Sequence, residues 1–205
     1  MRPVQNIIFD LGGVILNLDT LRTRNAFIEL GITNIDELFR IGHADSFFKD
    51  YEVGNISDDE FVEAALKLAR PDTTHQAIID AWNGMLLDFP AERIAFLDQL
   101  KTRYRLFLFS NTNALHLQAF QKSYTNVYSR ALDDHFEKAW YSHVISQRKP
   151  DVKAFEYVIQ DMQLDAAATL FIDDALVNVE GARAAGMQAI HLTPGKTILD
   201  LNFEF

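Results

Sequence analysis

The chain has 205 residues, 48% of them hydrophobic and 12% aromatic, enough for one domain with a substantial core or for one domain carrying an insertion. A formal net charge of −10 and a pI near 5 exclude a protein that holds nucleic acid or anionic membrane through a basic surface, while a locally positive pocket for an anionic substrate stays open. The absence of cysteine removes disulfides, thiolate catalysis and thiolate metal sites, and with no signal-like segment or long apolar span the expected location is cytoplasmic.

In chain order, the first element is the run Ile7-Ile8-Phe9, rich in β-branched and aromatic residues, which ends at Asp10 and Gly12-Gly13. A short apolar run bounded by glycine predicts a strand buried on both faces. A carboxylate at the carboxyl end of such a strand stands where open α/β sheets place ligands, or else caps the turn that follows. Residues 20–88 then change character. Helices are predicted over Leu21–Leu30, Asn34–Arg40, Asp45–Tyr51, Phe61–Ala69 behind a capping box at Ser57–Glu60, and from Pro71 to about Leu86, with no strand among them.

From Pro90 the pattern becomes α/β alternation. A helix is expected over Ala91–Tyr104 and a strand over Leu106–Phe109, ending at Ser110-Asn111-Thr112-Asn113. Leu115–Ala139 reads as helical with breaks near Tyr124–Asn126, and Trp140–Ile145 as a strand leading to Arg148-Lys149-Pro150. A helix over Asp151–Met162 precedes a strand over Thr169–Ile172 that stops at Asp173-Asp174. A helix over Val177–Ala185, closed by Gly186, and a strand over Gln188–Leu192 complete the series. Strands separated by helices imply right-handed crossovers and a parallel sheet, so the expected fold is α/β, a Rossmann-like three-layer sandwich.

A parallel sheet gathers its strand ends at one edge. Here that edge would present Asp10, Ser110 with Asn111, Lys149, and Asp173 with Asp174. A carboxylate nucleophile, a hydroxyl with turn amides, an ammonium and an acidic pair suit phosphoryl transfer, which needs an in-line attacking group and dispersal of charge on the equatorial oxygens. Asp10 with the acidic pair is also a hard oxygen site of the kind Mg²⁺ prefers.

These residues carry a resemblance. F-D-L-G-G-V at Phe9–Val14, F-S-N-T-N at Phe109–Asn113, R-K-P at Arg148–Pro150 and F-I-D-D at Phe171–Asp174 resemble, in order, motifs I to IV of the haloacid dehalogenase (HAD) superfamily. N-V-E-G-A-R-A-A-G-M at Asn178–Met187 is similar to the helix after motif IV, and D-L-G-x-V with S-N-T-N-x-L-H looks closest to the bacterial α-D-glucose-1-phosphate phosphatase group. The resemblance implies a HAD core over residues 1–16 and 89–205 and a small helical C1 cap over residues 17–88. It makes Asp10 the nucleophile of an aspartyl-phosphate route. Mg²⁺ would be held by Asp10, the Gly12 carbonyl, Asp173 and Asp174. Ser110 and the Asn111 amide would hold phosphoryl oxygens, Lys149 would neutralise charge, and Asn178 would orient the motif IV loop. The partner implied is a small phosphorylated metabolite, with a sugar phosphate as the expected class.

One position departs from the pattern. HAD phosphatases mostly carry a second Asp two residues after the nucleophile as proton donor and acceptor, and here that position is Gly12, which cannot move a proton. Asp19, His43 and Asp45 are candidates for a replacement or for substrate contact, each with a helix-capping or solvated role as the alternative. For substrate specificity the cap residues to watch are His43, Phe47, Phe48 and Tyr51, although most of the aromatics are expected to pack. Two other functions stay open: a metal-independent 2-haloacid dehalogenase, whose halide needs no proton, and a non-catalytic HAD fold serving as a binding protein.

Overall fold

The structure, a computed structural model, describes residues 2–38 and 47–203. Its centre is a parallel sheet with strand order β3-β2-β1-β4-β5, formed by β1 (Asn6–Phe9), β2 (Arg105–Ser110), β3 (Lys138–Tyr141), β4 (Thr169–Asp173) and β5 (Gln188–His191). β1 lies in the middle, with Ile8 level with Phe107 on one side and Phe171 on the other. The alternation of side chains along each strand divides the core between the two faces. Ile7, Phe9, Leu106, Leu108, Leu170 and Ile172 pack on one side, and Ile8, Phe107, Phe109 and Phe171 on the other.

Helices cover both faces. α6 (Ala91–Leu100) and α7 (Ala114–Tyr128) precede and follow β2, the single turn α8 (Ser142–Ile145) follows β3, and α9 (Val152–Asp161) and α10 (Leu176–Ala184) flank β4. They are numbered after five helices of the preceding section: α1 (Thr20–Glu29), α2 (Ile35–Leu38), α3 (Phe47–Glu52), α4 (Asp58–Leu66) and α5 (His75–Asn83). Among the described residues, no helix is long and apolar enough to cross a membrane.

The helical section builds its own aromatic cluster, in which Tyr51 stacks on Phe61 at 4.3 Å between centroids and Phe27, Phe48 and Trp82 close around them. Of the buried residues described in that cluster, Leu115 is the one contributed by α7. The chain enters and leaves the section side by side. Asn17 N–H donates to the Asp88 carbonyl (2.9 Å), Leu87 N–H to the Asn17 carbonyl (3.0 Å), and Leu18 and Leu86 form an antiparallel bridge.

Several boundaries differ from the sequence expectation. The capping box is present, with Ser57 Oγ accepting from Glu60 N–H (3.2 Å) and Glu60 Oε2 from Ser57 N–H (2.8 Å), so α4 begins at Asp58 instead of Phe61. α7 runs unbroken through Tyr124–Asn126, because Tyr124 is fully buried and hydrogen-bonds His135 at 2.5 Å, and tertiary packing outweighs the weak local propensity there. β3 starts at Lys138 and stops at Tyr141. Ser142, expected within the strand, turns into α8 because its hydroxyl is engaged by Thr112 N–H (2.9 Å) and donates to the Glu52 carbonyl (2.6 Å).

A buried network joins the helical section to the sheet. Asn113 caps α7, its Oδ1 accepting from His116 N–H (3.0 Å) and from Trp82 Nε1–H on α5 (3.2 Å). Asn113 Nδ2 donates to His116 Nδ1 (3.1 Å), which assigns the proton of the imidazole to Nε2, facing the Trp82 carbonyl at 3.0 Å. The imidazole and indole are stacked at 4.5 Å. Burial pushes His116 down from its ordinary 6.5 to about 4, the Trp82 carbonyl opposing only in part. A neutral ring in the fold and a protonatable one in the unfolded chain make stability fall as pH drops from 6.5 toward 4. Denaturant titrations across that window should show a loss of up to ~3 kcal/mol from this group, and His116→Gln should flatten that part of the profile. A slope identical in the variant would refute the assignment.

Candidate active site

Asp10 sits one residue beyond β1, where its N–H still donates to the Ile172 carbonyl of β4 (2.9 Å), so the sheet fixes its backbone. Lys149, only 1% exposed, reaches between two strand ends: Nζ donates to Asp10 Oδ1 at 2.6 Å and to Asp173 Oδ2 at 2.7 Å. The ammonium also lies over the rings of Phe109 and Phe171, 5.6 and 5.3 Å from their centroids. Among the described residues, nothing donates to Asp10 Oδ2. That oxygen is therefore held in place by its partner atom and left open. Asp173 Oδ1 accepts from Ala175 N–H (2.8 Å), and Asn178 Nδ2 donates to both Asp173 oxygens (3.1 and 3.0 Å).

Ligand oxygens of Asp10, Asp173 and Asp174 all lie within 4.8 Å of one another. Three carboxylates facing one ammonium carry a surplus of two negative charges, in a site where Asp173 is fully buried and Asp10 is 8% exposed. The electrostatics register this crowding. Burial raises the Asp10 carboxyl to about 7, with Asp173 and Asp174 adding to it and Lys149 offsetting only part. Asp174 is raised by burial and by Asp173. Lys149 stays above its ordinary value because the two carboxylates outweigh its own desolvation. A divalent cation with a preference for oxygen is the partner such a set fits.

The second and third strand ends are clamped together. Asn111 Nδ2 donates to the Lys149 carbonyl (2.8 Å) and Asn111 Oδ1 accepts from Lys149 N–H (3.0 Å), so the Asn111 side chain fixes the lysine backbone. Ser110, 3% exposed, makes no side-chain hydrogen bond among the described residues. It lines a cavity of about 120 Å³ bordered also by Gly12, Asn111, Glu52, Trp82 and His116.

The two glycines of the first turn differ. Gly13 has φ +73°, and a Cβ there would stand 2.4 Å from Asp174 Oδ2, so the close approach of this turn to the acidic pair requires glycine. A Cβ on Gly12 would meet only the end of the half-exposed Leu18 side chain at 2.5 Å. No steric demand for glycine is evident at position 12.

Asp19 has its carboxylate on the first turn of α1, accepting from Leu21 N–H (3.1 Å) and facing Arg22 at 3.3 Å. His43 and Asp45 lie outside the described residues. Phe48 and Tyr51 are buried in the aromatic cluster, and Tyr51 O–H donates to Asp58 Oδ1. The sequence reading did not single out Glu52 or Trp82 as site residues. Glu52 accepts from Arg148 Nη2 at 2.8 Å, and a signal for it existed only in the neighbouring R-K-P motif, whose arginine needed a partner.

A family profile described as haloacid dehalogenase-like hydrolase matches residues 4–186. The chain is 28% identical over 185 residues to a D-ribitol-5-phosphate phosphatase of Bacteroides thetaiotaomicron, covering 90% of both. It is 27% identical to the sesquiterpene phosphatase astK of Aspergillus oryzae, over 91% of this chain and 88% of that one. Among solved structures, a HAD family enzyme from Bacteroides thetaiotaomicron in complex with magnesium and inorganic phosphate superposes with a TM-score of 0.87 at 31% identity, covering 94% of this chain and 96% of that one. The chain therefore belongs to the haloacid dehalogenase-like hydrolases.

Gly13→Ala should cost ~1–3 kcal/mol, through its left-handed backbone and the displaced Asp174, and should weaken cation binding with it. Gly12→Ala should stay within about 1 kcal/mol of wild type, since only an exposed leucine must move. Parallel thermal melts with and without Mg²⁺ check both, and an intolerant Gly12 would contradict the steric reading.

Proposed function

We propose that the chain is a Mg²⁺-dependent phosphatase for a small sugar or polyol phosphate, acting through an aspartyl-phosphate on Asp10. The observation that carries this reading is the double hydrogen bond of Lys149, which orients Asp10 Oδ1 and leaves Oδ2 open as the attacking atom. Asp10, the Gly12 carbonyl, Asp173 and Asp174 are the proposed metal ligands. Mg²⁺ bound there would neutralise phosphoryl charge that the carboxylates alone would repel.

The roles of the chain's own groups follow from their positions. Asp10 Oδ2 attacks phosphorus, and Lys149 stabilises charge on both Asp10 and the transferring group. The unengaged Ser110 hydroxyl and the Asn111 backbone N–H bind the equatorial oxygens. Asn111 can contribute only through its backbone, because its side chain holds Lys149. Asn178 and the Ala175 N–H keep Asp173 in register.

Residues 17–88 are proposed as a cap over the strand ends, moving on the paired segments around Asn17 and Asp88. The substrate class rests on the ribitol phosphate activity of the Bacteroides relative, and the small cavity beside Gly12, where Ser110, Asn111 and Glu52 also stand, is the proposed place for the alcohol. The glucose-1-phosphate phosphatase likeness of the motifs points to the same chemical class. A dehalogenase would have no use for the Asp173–Asp174 pair, and a purely structural HAD fold would have no use for a buried lysine aimed at Asp10.

Asp10→Asn should abolish phosphate-ester hydrolysis while leaving the fold intact, and EDTA should abolish it reversibly in the wild type. Phosphate release measured over a panel of sugar and polyol phosphates checks both. Turnover surviving in Asp10→Asn, or persisting in EDTA, would overturn the mechanism.

A further inference from the structure

An alkoxide leaves phosphorus poorly unless it is handed a proton, and Gly12 offers none. The cavity beside Gly12 is where a replacement would have to stand. Of the described residues that line it, two titrate: Glu52 and His116. Both ring nitrogens of His116 are occupied, Nδ1 by Asn113 and Nε2 by the Trp82 carbonyl. Glu52 is different. Its Oε2 accepts from Arg148 Nη2 at 2.8 Å, and its Oε1 has no partner among the described residues.

Glu52 is also held from two sides by the strand-end loops. It closes α3, and its carbonyl accepts from Ser142 Oγ (2.6 Å), the same hydroxyl that Thr112 N–H engages (2.9 Å) in the loop after β2. Arg148, the residue before the buried Lys149, fixes the carboxylate from the other side, with its own Nε buried and unpartnered. A helix of the proposed cap thus places a glutamate, one of whose carboxylate oxygens has no partner among the described residues, in the lining of the cavity shared with Gly12 and Ser110.

We propose that Glu52 is the general acid and base of the reaction, acting from α3 in the role for which position 12 has no side chain, and that the leaving alcohol occupies the cavity between them. This rests on the phosphatase reading. In the first half-reaction Asp10 Oδ2 forms a bond to phosphorus, the ester P–O bond breaks, and the Glu52 Oε1 proton passes to the departing oxygen, releasing a neutral alcohol. In the second, the Glu52 carboxylate takes a proton from water. The water oxygen bonds to phosphorus and the Asp10–phosphorus bond breaks, returning Asp10, phosphate and protonated Glu52. Burial favours the protonated form of Glu52 that the first half needs, and the Arg148 guanidinium, which pulls the other way, keeps the carboxylate accessible for the second.

The test uses leaving groups of different need. With Mg²⁺ and the full chain, kcat/KM is measured for wild type and Glu52→Gln on p-nitrophenyl phosphate, whose phenolate leaves without a proton, and on D-ribitol 5-phosphate, whose alkoxide does not. Glutamine keeps an oxygen for Arg148, so the fold should hold, and thermal melting verifies this. The expected result is a loss of ~10²–10⁴-fold on the ribitol ester with the aryl ester little changed. Equal losses on both would mean that Glu52 merely fastens α3 to Arg148, and no loss on either would mean that it is idle; each overturns the proposal while leaving the phosphatase reading in place. A wild-type chain that hydrolyses neither ester, nor any aliphatic phosphate, would overturn the phosphatase reading and this proposal with it.

Discussion

Lys149 Nζ, almost fully shielded from solvent, is shared between Asp10 and Asp173, and the rest of the molecule is arranged to keep it there. Burying an ion costs several kcal/mol unless charge and hydrogen bonds compensate, and here two carboxylates and two aromatic faces do so. The compensation overshoots. With Asp174 included the acids outnumber the bases by two, and burial then raises Asp10 toward neutrality. A site with that imbalance is poised for a cation, and the proposed mechanism gives the lysine that steadies the carboxylates a phosphoryl group to steady as well.

The sheet makes the arrangement affordable to position. Because β1 is central and all neighbours run parallel, Asp10, Ser110 and Asp173 end at one edge without any long loop reaching across the molecule. Lys149 arrives from a loop, and Asn111 supplies the missing rigidity by gripping both the N–H and the carbonyl of its backbone. Gly13 allows the first turn to pass against Asp174. The helical section is joined to this edge by the Trp82–Asn113–His116 network and by Glu52 with Arg148 and Ser142, so the helices are tied to the same loops that hold Ser110, Asn111 and Lys149.

Much of this was legible in the residues themselves. Runs such as Leu-Phe-Leu-Phe and Leu-Phe-Ile, ending in polar residues, announce buried strands and mark where their ends fall, and those ends are where the candidate site lies. Helix caps were readable from Ser57–Glu60 because the hydrogen bonds are local. What depended on distant packing was not readable. The continuity of α7 rests on Tyr124 meeting His135, and the end of β3 at Tyr141 rests on a Ser142 hydroxyl wanted by Thr112. Glu52 belongs to this second kind. Nothing around it in sequence sets it apart, and the place from which the proposed proton donor would act becomes visible only when the end of α3 meets Arg148, 96 residues away.

The central claim is that Asp10, Asp173 and Asp174 form a single divalent-cation site around the Lys149 ammonium. Calorimetric titration of the purified chain with Mg²⁺ tests it most directly. The account predicts binding of one Mg²⁺ per chain, weakened ~10–100-fold or more in Asp173→Asn. Binding that Asp173→Asn leaves undiminished, or a folded wild-type chain that binds no Mg²⁺, would contradict it.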